Sequence, residues 1–426
     1  MSRRPGLLAL LLLAGSVSGA SAQEPPAPSE AAPSAPPPAA ISPVAPPTGV
    51  QVSSLAAPDA FSTPGRETGL PKDLWRGASL KTAKAVLPLL AARPLSPAAA
   101  DLARRVLATG APGPQGAGED PSLLGARASA LLTQGDPKAA AAILARAPGV
   151  DRDPDLARAA AESALLAGDD TRACAVAGDL SSGRDEIYWL RLRTYCQAAA
   201  GQTAQAQLTF DLAQAQAKDA IFARLMAAKI SGVGNPGAAS LRNGLDAALS
   251  RSLGLDLSAA KPSPAVAAAL SPDGPAASAI DASTAPPDVS VLVEALSGGE
   301  PVREAVAAAM LETANSADPK VRARGQAAAA LALAFAPELT ADVRDQFAAL
   351  TVPEGKAPVG RDLALDAAAQ RKLKGEAALL VLWTCAEAGA AGPAVGDRVR
   401  IVRALHAVGL EAEARAFALE GLAGLK

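Results

Sequence analysis

Three glycines set the architecture of this chain. Gly135, Gly168 and Gly201 stand 33 residues apart, twice over, between residues 121 and 216. Each ends one apolar helical pattern and opens another. The turns read Gly135-Asp136-Pro137-Lys138, Gly168-Asp169-Asp170-Thr171 and Gly201-Gln202-Thr203-Ala204, and five residues past each glycine stands an alanine: Ala140, Ala173 and Ala206. Two helices per period, with a small side chain at the closest approach, describe helical hairpins that stack. A larger residue at the alanine position would force the two helices apart. Composition points the same way. Half of the 426 residues are apolar but only 3% are aromatic, and alanine supplies much of the difference. Alanine is the best helix former and a poor strand former. At about 25 cal/mol per Å² of buried apolar surface, an alanine-rich core needs many thin contacts, which stacking provides.

The rest of the chain divides by composition. Arg3 and Arg4 precede the short apolar run 7–14, and Ala20-Ser21-Ala22 fits a small-residue cleavage pattern. Residues 1–22 therefore read as a signal peptide, with Gln23 as the new N-terminus. The run is well short of the ~20 residues a span needs, so the expectation is a periplasmic or secreted protein with no membrane span after signal removal. Residues 23–70 are rich in Pro, Ala and Ser and predict a disordered or polyproline-like tether. An N-terminal helical-repeat block is expected over 71–254, a Pro-rich linker over 255–287 and a C-terminal helical block over 288–426. Ser96-Pro97, Asp120-Pro121, Asp136-Pro137, Asp153-Pro154 and Asp318-Pro319 are helix starts: a capping side chain followed by a proline whose missing N–H is not needed in the first turn. No strand alternation is evident. The last pair of helices repeats the hairpin pattern, with Gly409 followed by Ala414 and Phe417. The fold class is all-α, a helical-hairpin solenoid.

On these residues the ladder resembles a tetratricopeptide-type repeat. The family's turn glycine corresponds to Gly135, Gly168 and Gly201, and its small second-helix residue to Ala140, Ala173 and Ala206. The large residue four further on is Leu144 and Phe210, but Ala177 in the middle unit. The small first-helix position is Ala128, Ala161 and Thr194. The family's first-helix aromatic is replaced by Leu131, Ala164 and Gln197, its closing proline is absent, and the period is 33 rather than 34. The likeness covers about a quarter of the chain. It implies a concave surface for a protein or peptide and no catalytic residues.

Candidate chemistry is sparse. Cys174 and Cys196 lie in the second helix of one hairpin and the first helix of the next, and an exported chain meets an oxidising compartment, so they are a candidate disulfide. Cys385, in an apolar helix, is left as a buried thiol. Asp151, Asp153, Asp155 and Glu162 fall at calcium-loop spacings. However, Leu156 occupies the glycine position and Pro154 starts a helix, which favours a capping role for Asp153. Ser258-Ala259-Ala260-Lys261 lacks the companion motifs of serine acyl-enzymes. His406 is the only histidine, which removes multi-histidine metal sites. No catalytic residue, metal site or cofactor is expected. Forty basic and 42 acidic residues, without long blocks of one sign, give no electrostatic case for nucleic acid. The richest aromatic and basic cluster is Arg184, Tyr188, Trp189, Arg191, Arg193 and Tyr195. These residue types anchor interfaces, although the rings can equally fill the hairpin core. Two functions follow as expectations: a non-catalytic scaffold binding a protein or peptide in the cell envelope, or a cell-wall (peptidoglycan) enzyme or its helical accessory domain. The sequence leaves oligomeric state open.

Overall fold

A computed structural model describes residues 59–120, 122–145, 147–271, 282–299, 301–336 and 338–425. Among them every regular element is helical. The α-helices are α1 (Leu80–Ala92), α2 (Pro97–Ala108), α3 (Ser122–Thr133), α4 (Pro137–Leu144), α5 (Pro154–Leu166), α6 (Asp170–Asp179), α7 (Ile187–Ala199), α8 (Thr203–Gln216), α9 (Ala220–Ser231) and α10 (Gly244–Ser252). They continue as α11 (Pro264–Leu270), α12 (Ser290–Ser297), α13 (Glu304–Ala314), α14 (Pro319–Ala332), α15 (Ala341–Ala348), α16 (Val359–Gln370), α17 (Lys374–Ala388), α18 (Val395–Ala407) and α19 (Glu411–Ala423). No helix in the described residues is long and apolar enough to cross a membrane. The predicted signal peptide lies outside them.

Side-chain caps mark eight of the described helix starts. Ser79 Oγ accepts from the Thr82 N–H, Asp136 Oδ1 from that of Ala139 and Asp169 Oδ1 from that of Arg172. Asp153 Oδ1 accepts from both Asp155 and Leu156 N–H at 3.0 Å, so this acid caps α5. Ser96 differs from expectation. Its backbone is extended and Pro97 opens α2, but its side chain makes no capping bond.

The three hairpin turns close identically. At Gly168 the glycine N–H donates to Leu165 O and the Asp169 N–H to Ala164 O; Gly135 and Gly201 repeat the pair of bonds. The three glycines hold φ of +84°, +79° and +74° in chain order. Nothing lies within 4 Å of where a Gly168 Cβ would sit, so glycine is required there by φ alone. Ala140, Ala173 and Ala206 are all fully buried. Consecutive helices from α3 to α9 pack on one another, and α3 also packs on α5. A Cβ on Gly125 would come within 3.2 Å of the Leu156 backbone, which sets that close approach.

Two apolar cores result. The smaller contains Ala157, Ala161, Ala173, Ala177, Trp189, Leu192, Tyr195, Phe222 and Leu249, within α5 to α10. The larger draws on α1 to α5 and on α12 to α19 together. α1 packs on α3 and α17, and α2 on α3, α17 and α19. The expected blocks 71–254 and 288–426 therefore share a core and do not form separate ones. Two boundaries also move. Folded structure begins by Asp59, within the expected tether: Phe61 is completely buried against Trp75, with ring centroids 4.8 Å apart. In the expected linker, α11 packs on α3 and α4 through Val266, which is 1% exposed. Residues 272–281 of that segment are outside the described ones.

A residue that sequence reasoning passed over holds the N-terminal segment. Arg127 of α3 is fully buried, and its guanidinium donates to the carbonyls of Leu107 (2.7 Å), Ala60 (2.8 Å) and Thr109 (3.0 Å). Burial pushes it down to about 9, still protonated at neutral pH.

Candidate functional site: a cavity on the first helices of the hairpins

The six residues of the aromatic and basic cluster separate into three roles. Trp189 and Tyr195 are core, at 1% and 2% exposure, so they cannot line a groove. The Tyr195 hydroxyl donates to Asp170 Oδ2 at 2.6 Å, tying the start of α6 to α7. Burial, and then this bond to Asp170, push the phenol up. Arg184 and Arg193 fasten a loop: Arg184 donates to the carbonyls of Gly178 and Leu180, and Arg193 to that of Arg184. Of the six, only Tyr188 and Arg191 line a cavity. Beside Tyr195, Cys196 is joined by a disulfide to Cys174 of α6, with Cα atoms 5.6 Å apart. Cys385 is a buried free thiol, pushed up by burial.

Tyr188 and Arg191 line a cavity of about 580 Å³. Its wall is built from one face of α3, α5 and α7, and it is closed by α9, the start of α10 and residues 263–265. Ser129 and Glu162, Thr133 and Leu166, Asp155 and Tyr188, and Arg158 and Arg191 all line it, and the members of each pair are 33 positions apart. The glycine period therefore extends to the lining: successive first helices turn the same positions into one space.

One side of the cavity is a closed charge network. Asp219 caps α9 through the N–H groups of Ile221 and Phe222, and it also pairs with Arg242 (3.0 Å) and Arg191 (3.3 Å). Burial would push its carboxyl up, but the Phe222 N–H and Arg242 together hold it below the usual range. Arg242 Nε also donates to Asp246, which accepts from Ser240 as well. Asp246 keeps the Arg242 guanidinium above its ordinary value.

The other side is unfinished. Glu162 of α5 accepts the Gly244 N–H through Oε2 at 2.7 Å. Its Oε1, the Tyr188 hydroxyl and Arg191 Nε are each shut from solvent without a hydrogen bond of good geometry, although the Tyr188 hydroxyl stands near enough to Glu162 to interact with it. The Glu162 carboxyl is raised, chiefly by burial; the Gly244 N–H, the Tyr188 hydroxyl and Arg158 counter this, and Asp246 adds to it. Tyr188 is raised well above 10, again chiefly by burial and then by the neighbouring Glu162 charge. Over the Tyr188 ring, 4.7 Å from its centroid, lies the exposed guanidinium of Arg158. Arg191 covers Phe222 at 5.5 Å. The corner thus offers a buried acceptor, a phenol that can accept or donate, and a guanidinium donor on an aromatic wall.

Sequence reasoning reached Tyr188 and Arg191, met Glu162 only as a calcium-loop spacing, and missed Arg158, Asp219, Phe222 and Arg242. A signal was available for Arg158 and Glu162. One period back from Arg191 is Arg158, and Glu162 follows it by a helical turn on the same face. Comparison with protein families, with curated proteins and with solved structures finds no match.

Proposed function

We propose that this chain is an exported, non-catalytic scaffold of stacked tetratricopeptide-like hairpins, which binds a protein or peptide of the cell envelope in the cavity on its first helices. The observation that carries the reading is the lining: four pairs of residues one period apart open onto one space, and three buried polar atoms in it lack a hydrogen bond of good geometry. Buried polar groups are normally hydrogen-bonded, so a site that gathers several unbonded ones is shaped for a guest. The disulfide between Cys174 and Cys196 supports an oxidising compartment, in line with the signal-like sequence 1–22 and the Pro/Ala-rich tether after it.

A photo-reactive residue at position 158, at the cavity, tests this against one at Leu208, which is 73% exposed on α8 and away from the cavity. The expected outcome in intact cells is a discrete polypeptide adduct from position 158 and none from 208. Equal labelling at both positions, or none at 158, overturns the scaffold reading. Adducts to peptidoglycan glycan instead of polypeptide move the assignment to a cell-wall enzyme or accessory domain.

A further inference from the structure

This inference rests on the scaffold reading and concerns what the guest presents to the cavity. In the unfinished corner the Tyr188 hydroxyl is a neighbour of the Glu162 carboxylate and interacts with it, but neither Glu162 Oε1 nor Tyr188 Oη completes a hydrogen bond of good geometry. The other Glu162 oxygen is already taken by the Gly244 N–H. We infer that the guest carries a primary ammonium group, received between Glu162 Oε1 and Tyr188 Oη, while Arg191 Nε takes a carbonyl of the same peptide.

The geometry selects among donors. A guanidinium binds a carboxylate best as a fork, using both oxygens, and here only one oxygen is free. An ammonium is a point charge with rotatable donors, which suits one carboxylate oxygen and one phenol. A neutral hydroxyl or amide would leave the buried carboxylate without a counter-charge, and an uncompensated charge is the costly case. An anion is disfavoured by the carboxylate itself. The structure also contains an internal stand-in. Arg158 places a cation over the Tyr188 ring and makes no ion pair among the described residues, so the corner already attracts positive charge. The side chain is exposed and is the group a guest would displace. A cavity of about 580 Å³ lies within the range of small-ligand pockets and has room for a lysine side chain or a peptide N-terminus with its neighbouring residues.

The test uses the mature chain from Gln23 and calorimetric titration at pH 7. The probes are acetyl-Ala-Lys-Ala-amide, which offers a side-chain ammonium, Ala-Ala-Ala-amide, which offers a terminal one, and acetyl-Ala-Ala-Ala-amide, which offers none. Saturable binding of one or both amines, and not of the acetylated control, is expected; whichever amine binds identifies the source. Glu162→Gln, which keeps a carbonyl for the Gly244 N–H, should weaken that binding by about thirtyfold or more with an unchanged helical circular dichroism spectrum. Arg158→Ala should tighten it by removing the stand-in, whereas a guest bound through a carboxylate would be lost in that variant. The inference is overturned if neither amine binds, if the control binds equally, or if folded Glu162→Gln binds as well as the parent. Should the amines fail while the adduct at position 158 persists, the scaffold reading stands and only the ammonium assignment falls.

Discussion

Glu162 carries a cost that a purely structural residue would not. Its carboxyl is buried and half-bonded, and burial raises its pKa above the unfolded value. An acid raised in this way binds more protons in the native state than in the unfolded one. Its effect on stability is therefore favourable below the unfolded value, near 4.5, and is lost as pH rises through the native value. Glu162→Gln cannot ionise, so its melting temperature should match the parent at pH 4 and exceed it at pH 7. A difference that does not grow with pH would show that the charge is accommodated without cost. Arg127 is the structural contrast: more completely buried, but with its guanidinium satisfied by three carbonyls. Neither role was legible from residue type alone. What separates the two is the number of partners each finds, and that depends on segments far away in the chain: residues 60–109 for Arg127, and Gly244 for Glu162.

Elements were far more legible than sites, for a local reason. Caps and apolar periodicity are written within one helix, and among the described residues every α-helix but one lies in a block expected to be helical, 71–254 or 288–426. The exception, α11, opens on Ser263-Pro264 with the Ser263 side chain accepting from Val266 N–H. That is the start signal used elsewhere, masked here by proline density. A further hairpin turn was hidden because it lacks glycine. Between α16 and α17, Lys372 takes φ of +57° and makes the same two turn bonds, with its Nζ donating to Ala407 O. The disulfide also belongs to this scale. α6 buries only Ala173 and Ala177, so apolar contact holds it weakly, and the Cys174–Cys196 bond and the Tyr195–Asp170 contact fasten it to α7. Replacing both cysteines by serine should cost about 3 kcal/mol, given the 22-residue separation. Hydrogen exchange should show the loss first in residues 170–179. Uniform loss across α3 to α10 would mean that the bond acts on the whole unfolded chain and not on this helix.

At the scale of the molecule, the N-terminal helices complete a core that the C-terminal helices begin. The pairing is long-range, which is why composition placed a division at the Pro-rich segment where packing places none. Leu74 and Trp75 are buried at 2% and 1% exposure, and Gly375 donates its N–H to Leu74 O at 3.1 Å. A side chain at 375 would meet that carbonyl at 2.6 Å, so the approach itself requires glycine. Polar contacts follow the same seam. Glu376 accepts from Ser79 N–H and Thr82 Oγ, Glu420 accepts the Ala98 N–H, and Arg93 donates to Ala386 O. Arg105 pairs with Glu413, which is nearly buried. Val86, Leu87, Leu90, Leu102 and Leu107 are all fully buried, and each such side chain is worth about 1.5–3 kcal/mol when removed from water. Opening the seam therefore forfeits an amount comparable to the whole stability of a typical domain, about 5–15 kcal/mol. Chains of 59–254 and 255–426 expressed separately should each lack a cooperative thermal transition near that of the intact protein and bind a hydrophobic dye. Expressed together, they should copurify and recover the transition. If 59–254 alone melted cooperatively at the parent temperature, α1 and α2 would have to find their core within the hairpin ladder, and the cavity would stand on a scaffold independent of the C-terminal helices. Failure of each piece alone with rescue of the pair would mean that the cavity, though lined only by residues 91–265, owes its rigidity to helices that never touch it.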